Sequence, residues 1–156
     1  EHRIVRGFYD VRLLQGEMSG RSDSIYTDQQ SGITKLINKS GDRKPVLWSG
    51  RNQMTGDTIK LFSNTETEKL DSLLVYENAF LIQEDTIEGY NQVKGKFLVG
   101  YFEDNEIYEV NIDKNTETLN YMRNGENQLI GINKTLASRI KIIFENQLGL
   151  VAKLIQ

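Results

Sequence analysis

A short motif recurs along this chain at near-constant spacing, and it constrains the fold more than any other feature. Asn52-Gln53-Met54-Thr55-Gly56 is repeated as Asn91-Gln92-Val93-Lys94-Gly95 and again as Asn127-Gln128-Leu129-Ile130-Gly131. A weaker first copy ends at Gly20, so the four glycines are separated by 36, 39 and 36 residues. Internal periods of this length are typical of repeated supersecondary units that stack on one another. The spacing therefore predicts about four tandem units of 36–39 residues.

The hydrophobic pattern between these motifs has a period of two. Ile140, Ile142 and Phe144 alternate with Arg139, Lys141 and Glu145. Val110 and Ile112 likewise alternate with Glu109, Asn111 and Asp113. Such alternation is the signature of a strand with one buried face. Polar turn clusters separate the apolar runs about every ten residues, as in sandwiches, barrels and solenoids. The segment 134–144 also fits a strand better than a helix, because it is rich in β-branched residues.

The periodic glycines predict bends in these strands. Glycine adopts a positive φ or a sharp bend without a Cβ clash, so each copy marks a corner or a bulge. Bends at equal spacing would fold the strands over themselves, and each unit would need a neighbour to cover its apolar face. The expected fold class is all-β, a stack of strands that forms a single domain over residues 1–156.

Composition excludes several classes of function. The chain has no cysteine and a single histidine, His2. The lack of cysteine rules out disulfides, thiolate metal sites and a thiol nucleophile, and a single histidine argues against a Ser-His-Asp triad. With 19 basic and 22 acidic residues, the chain lacks the positive charge typical of a nucleic-acid-binding protein. These features favour binding or scaffolding over catalysis, with no cofactor, no metal and no catalytic residue expected.

The second repeat carries a resemblance to a known family. Pro45-Val46-Leu47-Trp48-Ser49 precedes Asn52-Gln53-Met54-Thr55-Gly56-Asp57-Thr58-Ile59, and together they resemble the OstA-like (organic solvent tolerance) domain. That family is related to the periplasmic lipopolysaccharide-transport protein LptA. Residues 20–26 and 131–134 fit an earlier and a later strand, so the resemblance runs from about Gly7 to Leu154. Later repeats depart from the pattern, since Lys96 and Ile132 replace the residue equivalent to Asp57.

The resemblance implies a fold and a function. The implied fold is a stack of short antiparallel strands in a twisted, slightly open β-jellyroll, also called a β-taco. Members of the family carry lipopolysaccharide across the periplasm, with acyl chains between the two sheets and sugars facing water. They join edge to edge with similar domains. For this chain we therefore expect a periplasmic location and lipopolysaccharide or a related glycolipid as ligand. The expected protein partners are other Lpt-type β-jellyroll domains, or further copies of the chain, bound by edge-strand pairing.

Inward positions of the strands are the predicted lipid-binding residues. The alternative is that these side chains form an ordinary dry core. Trp48 is expected in the core, with the mouth of the groove as the alternative. The predicted lipid-binding residues are Met54, Ile59, Leu61, Phe80, Ile82, Val93, Phe97, Val99, Val110, Ile112, Leu129, Ile140, Ile142 and Phe144.

Two regions are predicted to be open edges of the stack, residues 11–14 and 150–155. An edge strand has unpaired backbone groups and is suited to strand addition. The chain begins with Glu1 rather than Met and ends in a strand-like run. We therefore expect a piece of a longer protein, from which any signal peptide has been removed.

Charged clusters provide weaker candidates. The carboxylates are expected on a solvated surface rather than paired for acid–base chemistry; they are Asp57, Asp71, Glu84, Asp85, Glu88, Asp104 and Asp113. Residues 103–106 predict a hairpin turn rather than a calcium loop. The basic segment 39–44 is expected to be an exposed loop, with a phosphate-bearing headgroup as its alternative ligand.

Three functions remain. The first is a lipid-carrying or bridging module in lipopolysaccharide transport to the outer membrane. The second is a non-enzymatic β-scaffold that mediates protein–protein assembly through exposed edge strands. The third, an enzyme on a β fold, is the least favoured because His and Cys are nearly absent.

Overall fold

The computed structural model describes residues 2–84, 89–144 and 152–155. The described residues form eleven strands and no helix, and every strand pairing is antiparallel. The all-β prediction is confirmed. The strands are β1 (Ile4–Gln15), β2 (Met18–Asp28), β3 (Ile33–Ile37), β4 (Val46–Ser49), β5 (Asn52–Thr55), β6 (Thr58–Ser63), β7 (Leu70–Glu84), β8 (Tyr90–Glu103), β9 (Glu106–Arg123), β10 (Leu129–Phe144) and β11 (Ala152–Ile155).

The strands build two layers because the long strands are bent near their middles. One half of β7 pairs with β6 and the other half pairs with β5. Likewise, β2 pairs with β4 through one half and with β3 through the other. Layer 1 consists of residues 4–8, 24–28, β3, β6, 70–76, 97–103, 106–113, 139–144 and β11. Layer 2 consists of residues 11–15, 18–22, β4, β5, 79–84, 90–95, 116–123 and 129–137.

Three of the bends share a backbone signature. Two successive residues have positive φ at Tyr9-Asp10 in β1, at Glu77-Asn78 in β7 and at Lys114-Asn115 in β9. The second residue is Asp or Asn each time, the residue types that tolerate this conformation best after glycine. The pairing register shifts at all three places. Each pair therefore kinks a continuous strand and sends it from one layer into the other.

Two periodic glycines lie beside these kinks. A Cβ atom at Gly56 would lie 2.1 Å from Val75 Cγ1 and 3.1 Å from the Glu77 carbonyl oxygen. A Cβ at Gly95 would lie 2.4 Å from Ile112 Cγ2 and 3.2 Å from the Asp113 oxygen. Both glycines are required because the neighbouring kink leaves no room for a side chain.

The other two periodic glycines differ. A Cβ at Gly20 would lie 2.7 Å from Leu47 Cδ2, inside β2, whereas a Cβ at Gly131 would meet nothing within 4 Å. The corner role therefore holds at two of the four positions, and the division into four equal units stays a prediction.

The polar composition of residues 113–117 predicts a turn between strands, and this prediction is wrong. They lie inside the continuous strand β9, around the kink at Lys114-Asn115. By contrast, residues 103–106 form the expected hairpin turn, since Glu103 pairs directly with Glu106. A polar pair of residues can serve a bend within a strand as well as a turn between strands, because both need positive φ.

Candidate lipid-binding interior

The inner faces of the two layers pack against each other as one apolar core. Leu47 and Met54 of layer 2 and Ile59 and Leu98 of layer 1 are completely buried. The whole cluster consists of Met18, Leu36, Leu47, Met54, Ile59, Leu61, Leu70, Leu73, Val75, Ala79, Leu81, Val93, Leu98, Phe102, Val110, Ile112, Ile140 and Ile142. The layers are thus in contact, and a guest between them must displace contacts among these side chains.

Most of the predicted lipid-binding residues point into this interior. Eight of them are buried members of the cluster and Phe144 packs against it at partial burial; the eight are Met54, Ile59, Leu61, Val93, Val110, Ile112, Ile140 and Ile142. Their inward orientation follows from the alternation read in the sequence. That they contact lipid stays a prediction.

Four predicted residues point outward instead. Phe80 and Ile82 lie on the outer face of layer 2, because Ala79 and Leu81 occupy the inner positions of that part of β7. Phe97 and Val99 lie outward on β8 because Leu98 is the buried residue between them. The reason is that both alternating sets are apolar in these runs, so the period of two leaves the face undecided. These four residues are removed from the predicted interior.

Two further side chains differ from expectation. Leu129 is 52% exposed, at the end of β10 where it pairs with Arg123. Trp48 is not in the core: it is 38% exposed on the outer face of layer 2, beside the buried Leu47. Its indole Nε1 donates a hydrogen bond to Gln53 Oε1 at 2.9 Å. The polar end of tryptophan is satisfied on the outside, which the sequence pattern could not specify.

The side of the molecule opposite the bends is the mouth of the interior. The turns described there connect strands of the same layer, so within residues 4–84 and 89–144 the chain passes from one layer to the other only on the bend side. Among the described residues, one hydrogen bond crosses the mouth: Gln15 Nε2 of layer 2 donates at 3.1 Å to the carbonyl oxygen of Glu68, in the loop that joins β6 and β7 of layer 1.

A cleft of about 810 Å³ opens at the mouth, near the amino-terminal end of the stack. Its lining includes Leu13 and Gln15 from layer 2, and Thr27 and Thr34 from the inner face of layer 1. The loops around residues 28–32 and 63–68 form its rim. Because Leu13 also packs against the apolar cluster, this cleft leads directly to the interior.

Two carboxylates hold the loops at the mouth. Burial alone would raise the pKa of Asp28, but the backbone N–H groups of Gln30 and Ser31 outweigh it, so the pKa is lowered. The hydrogen bond from Lys69 lowers the pKa of Asp104, with Lys69 Nζ and Asp104 Oδ1 2.7 Å apart. Both groups therefore stabilise the folded state in their ionised form.

The mouth should loosen in acid. A lowered pKa in the folded state gives stability that is present above the pKa of the unfolded chain and is lost as pH falls through the folded value. We expect a melting temperature that is flat near neutral pH and declines below about pH 4. Thermal melts from pH 7 downwards, followed by circular dichroism, measure this. The variant Asp28→Asn should show a shallower acid decline, and an unchanged decline in this variant would contradict the role given to Asp28.

Both ends of the stack have free backbone edges among the described residues. β1 pairs with β2 alone, which places residues 11–14 at an edge as predicted. Residues 129–137 of β10 pair with β9 alone, since β11 covers residues 141–144 only. Leu136 of this edge is 70% exposed. Of the other predicted edge, 152–155 form β11, whereas 150 and 151 lie outside the described residues.

No chemical centre emerges from the charged groups that the structure describes. Within 2–84, 89–144 and 152–155, no three His, Cys, Asp or Glu side chains are placed to hold a metal ion. Asp85 and Glu88 lie outside the described residues. Residues 39–44 form an exposed loop, with Lys44 paired to Asp57 at 3.1 Å. The described part of the chain also has no helix long and apolar enough to cross a membrane.

The sequence reasoning missed the residues that join and close the two layers. The kinks at Glu77-Asn78 and Lys114-Asn115 left a detectable signal, since each interrupts a strand pattern with a residue that tolerates positive φ. The contact between Gln15 and Glu68 left none, because the two residues are separated by 53 positions in the chain.

Comparison with known proteins supports the architecture. No family model matches the sequence, and no curated protein matches it. A solved structure does match: LptH from Pseudomonas aeruginosa, described as the LptA-homologous periplasmic component of a lipopolysaccharide transport device. The match has a TM-score of 0.60 and 12% identity, and covers 89% of this chain and 94% of LptH. This bent, two-layered stack of antiparallel strands is an LptA-like β-jellyroll.

Proposed function

We propose that this protein binds the acyl chains of lipopolysaccharide, or of a related glycolipid, between its two layers. In this proposal it acts in the periplasm as a carrier or bridging module in transport to the outer membrane. The observation that carries the proposal is the construction of the interior. The backbone joins the two apolar faces on the bend side, whereas at the mouth the described contacts between them are made by side chains and few of these are polar. The likeness to LptH supports the same role.

This construction allows the layers to separate. Backbone ladders run within each layer, and the chain crosses between layers on the bend side. Opening the mouth therefore leaves the ladders intact and breaks mainly apolar contacts, together with the bond between Gln15 and Glu68. A rigid-body opening about the kinks at Glu77-Asn78 and Lys114-Asn115 is the motion that the topology permits.

The energetic balance favours an acyl chain over water as the guest. Separating the layers exposes apolar side chains such as Leu81, Ile112 and Ile142, which are nearly completely buried. An acyl chain restores that burial and gains about 0.8 kcal/mol for each methylene group removed from water. The polar side chains at the mouth cleft, Gln15, Thr27 and Thr34, suit a polar headgroup that stays in solvent.

The free edges support a bridging role. β1 spans both layers and can accept a further strand along each of them, whereas the first part of β10 can accept one in layer 2; either addition would extend the stack and the interior beside it. We propose that the partners at these edges are other Lpt-type β-jellyroll domains or a second copy of this chain.

A second candidate is a non-enzymatic scaffold that assembles through the same edges. The packed interior favours it, because Leu47, Ile59 and Leu98 already fill the space between the layers. A scaffold would keep this core closed and would bind partners without lipid. No catalytic role is proposed.

Comigration of labelled lipopolysaccharide with the protein in gel filtration tests the proposal. We expect the lipid to elute with the protein, and we expect unlabelled lipopolysaccharide to displace it. The deacylated saccharide should not displace it, because the acyl chains provide the binding free energy. Displacement by the deacylated saccharide would contradict the carrier function. Elution of the lipid only in its own micelle fraction would also contradict it, and the scaffold would then be the remaining candidate.

A further inference from the structure

The outer face of layer 1 carries a row of cations that the proposed lipid interior does not use. Arg6, Tyr26, Lys35 and Lys60 lie in one cross-strand row, because Arg6 pairs with Tyr26, Tyr26 with Lys35 and Lys35 with Lys60. Their sequence neighbours Ile25, Leu36 and Ile59 face the core, so this row faces outward. We call these four residues the basic row.

The basic row lacks internal neutralisation. Among the described residues, no carboxylate oxygen lies within 4.0 Å of the charged nitrogens of Arg6, Lys35 or Lys60. Lys35 and Lys60 are directly opposite each other in an antiparallel pair, where like charges destabilise a sheet. Lys35 and Lys60 repel each other and have no ion pair with a carboxylate of the described residues. The two ammonium groups are therefore suited to bind an anion from outside the chain.

Several cations elsewhere on the outer faces are paired with acids. Lys94 and Lys134 of layer 2 both approach Glu117, at 3.5 and 3.3 Å. At the far end of layer 1, Lys141 lies 3.1 Å from Glu109. The basic row is therefore a local concentration of positive charge on a chain whose net charge is −3.

Charge is also distributed unevenly along the chain. Residues 1–60 contain ten Lys and Arg against seven Asp and Glu, whereas residues 61–156 contain nine against fifteen. Because the basic row lies on β1, β2, β3 and β6, within residues 1–60, it falls within the positive part. An anionic surface would be attracted to this end of the stack in particular.

Aromatic side chains accompany the cations on the same face. The Arg6 guanidinium and the Lys35 ammonium lie 5.6 and 5.7 Å from the centre of the Tyr26 ring. Lys60 lies 5.1 Å from the Tyr76 ring centre. Phe8 is 52% exposed, and Lys39 Nζ lies 4.9 Å from the centre of its ring. Exposed rings beside cations are typical of surfaces that lie at the headgroup level of a membrane.

We propose that the outer face of layer 1 docks on an anionic lipid bilayer, with Arg6, Lys35 and Lys60 facing the phosphates and Phe8 and Tyr26 at headgroup depth. The extended surface of a sheet suits a bilayer, which presents phosphates over an area rather than at one point. The proposal is independent of whether the interior binds acyl chains, because the basic row lies on the opposite face of the layer.

Sedimentation with vesicles of phosphatidylglycerol and phosphatidylcholine tests the docking. We expect the protein to sediment with these vesicles, to stay in solution with phosphatidylcholine alone, and to be released by high salt. The variant Lys35→Gln/Lys60→Gln should weaken binding about 25-fold, at about fivefold for each cation. It should remain folded, since the substitution removes a repulsion; circular dichroism and the melting temperature check this.

The matched control is Lys94→Gln/Lys134→Gln, which changes the net charge equally on the outer face of layer 2. Retained binding by this control, with loss in Lys35→Gln/Lys60→Gln, supports the proposal. Equal loss in both variants would overturn it by showing a response to net charge alone. No binding of the unaltered protein to anionic vesicles would also overturn it. Binding to a soluble polyanion but not to vesicles would overturn it as well, in favour of a polyanion site.

Discussion

The substitution Gly56→Ala is expected to destabilise the protein by about 3 kcal/mol, at the upper end of overpacking costs. A Cβ at this position would lie 2.1 Å from Val75 Cγ1, closer than two non-bonded carbon atoms can approach. Val75 is completely buried and cannot move outward, and the Glu77 carbonyl oxygen at 3.1 Å belongs to a kinked backbone. The added methyl group must therefore displace either the core or the kink. Urea denaturation measures the loss in the free energy of unfolding.

Gly131→Ala is the matched control because it makes the same change at another periodic glycine. A Cβ at Gly131 would meet nothing within 4 Å, and its φ is not positive. Its free energy of unfolding should change by less than about 0.5 kcal/mol. Gly95→Ala should resemble Gly56→Ala, since its Cβ would lie 2.4 Å from Ile112 Cγ2. Similar small effects at all three positions would show that the bends do not depend on glycine.

The fold class could be predicted from the sequence because alternation is a local property of a strand. Ile140, Ile142 and Phe144 form one alternating set, and the structure places the first two in the core and the third against it. The pattern is informative there because the opposite set is charged apart from Ile143.

The face of a strand could not be predicted where both alternating sets are apolar. In residues 79–82 all four side chains are apolar, and the larger Phe80 and Ile82 were expected inside. The interior has room for Ala79 and Leu81 instead, because the facing layer fixes the space that is available. Volume complementarity between distant strands is a tertiary property, which a local pattern does not contain.

The bends were partly predictable and the mouth was not. Gly56 and Gly95 are spaced by the repeat, but the kinks beside them at Glu77-Asn78 and Lys114-Asn115 look like ordinary turn residues. Contacts such as Gln15 with Glu68 arise only when the two layers face each other. The sequence therefore predicted most of the inward side chains and not the residues that close the mouth.

Photo-crosslinking to lipopolysaccharide at high salt, which releases lipid held by the basic row, is expected to separate the two faces of layer 1 in an all-or-none manner. A diazirine amino acid of about the size of leucine, placed at Ile112 or Ile142, should crosslink labelled lipid because both side chains point into the interior. The same amino acid at Val99 should not, although Val99 lies in layer 1 on the strand next to that of Ile112. Its side chain points outward from layer 1, beside the buried Leu98.

The choice of Val99 makes the control demanding. Val99 pairs with Asn111, the residue next to Ile112, so the inner and outer probes lie on adjacent strands and differ chiefly in direction. Lipid that binds nonspecifically to the surface would label Val99 at least as strongly as Ile112. Each probe variant should keep the melting temperature of the unaltered protein within a few degrees, which corresponds to about 1 kcal/mol.

The crosslinking pattern at Ile112, Ile142 and Val99 is the most direct test of the central claim, that acyl chains bind between the two layers. The account predicts labelled lipid on Ile112 and Ile142 and none on Val99, with labelling prevented by excess unlabelled lipopolysaccharide. Labelling of Val99 alone, or of none of the three in a folded protein, would contradict it.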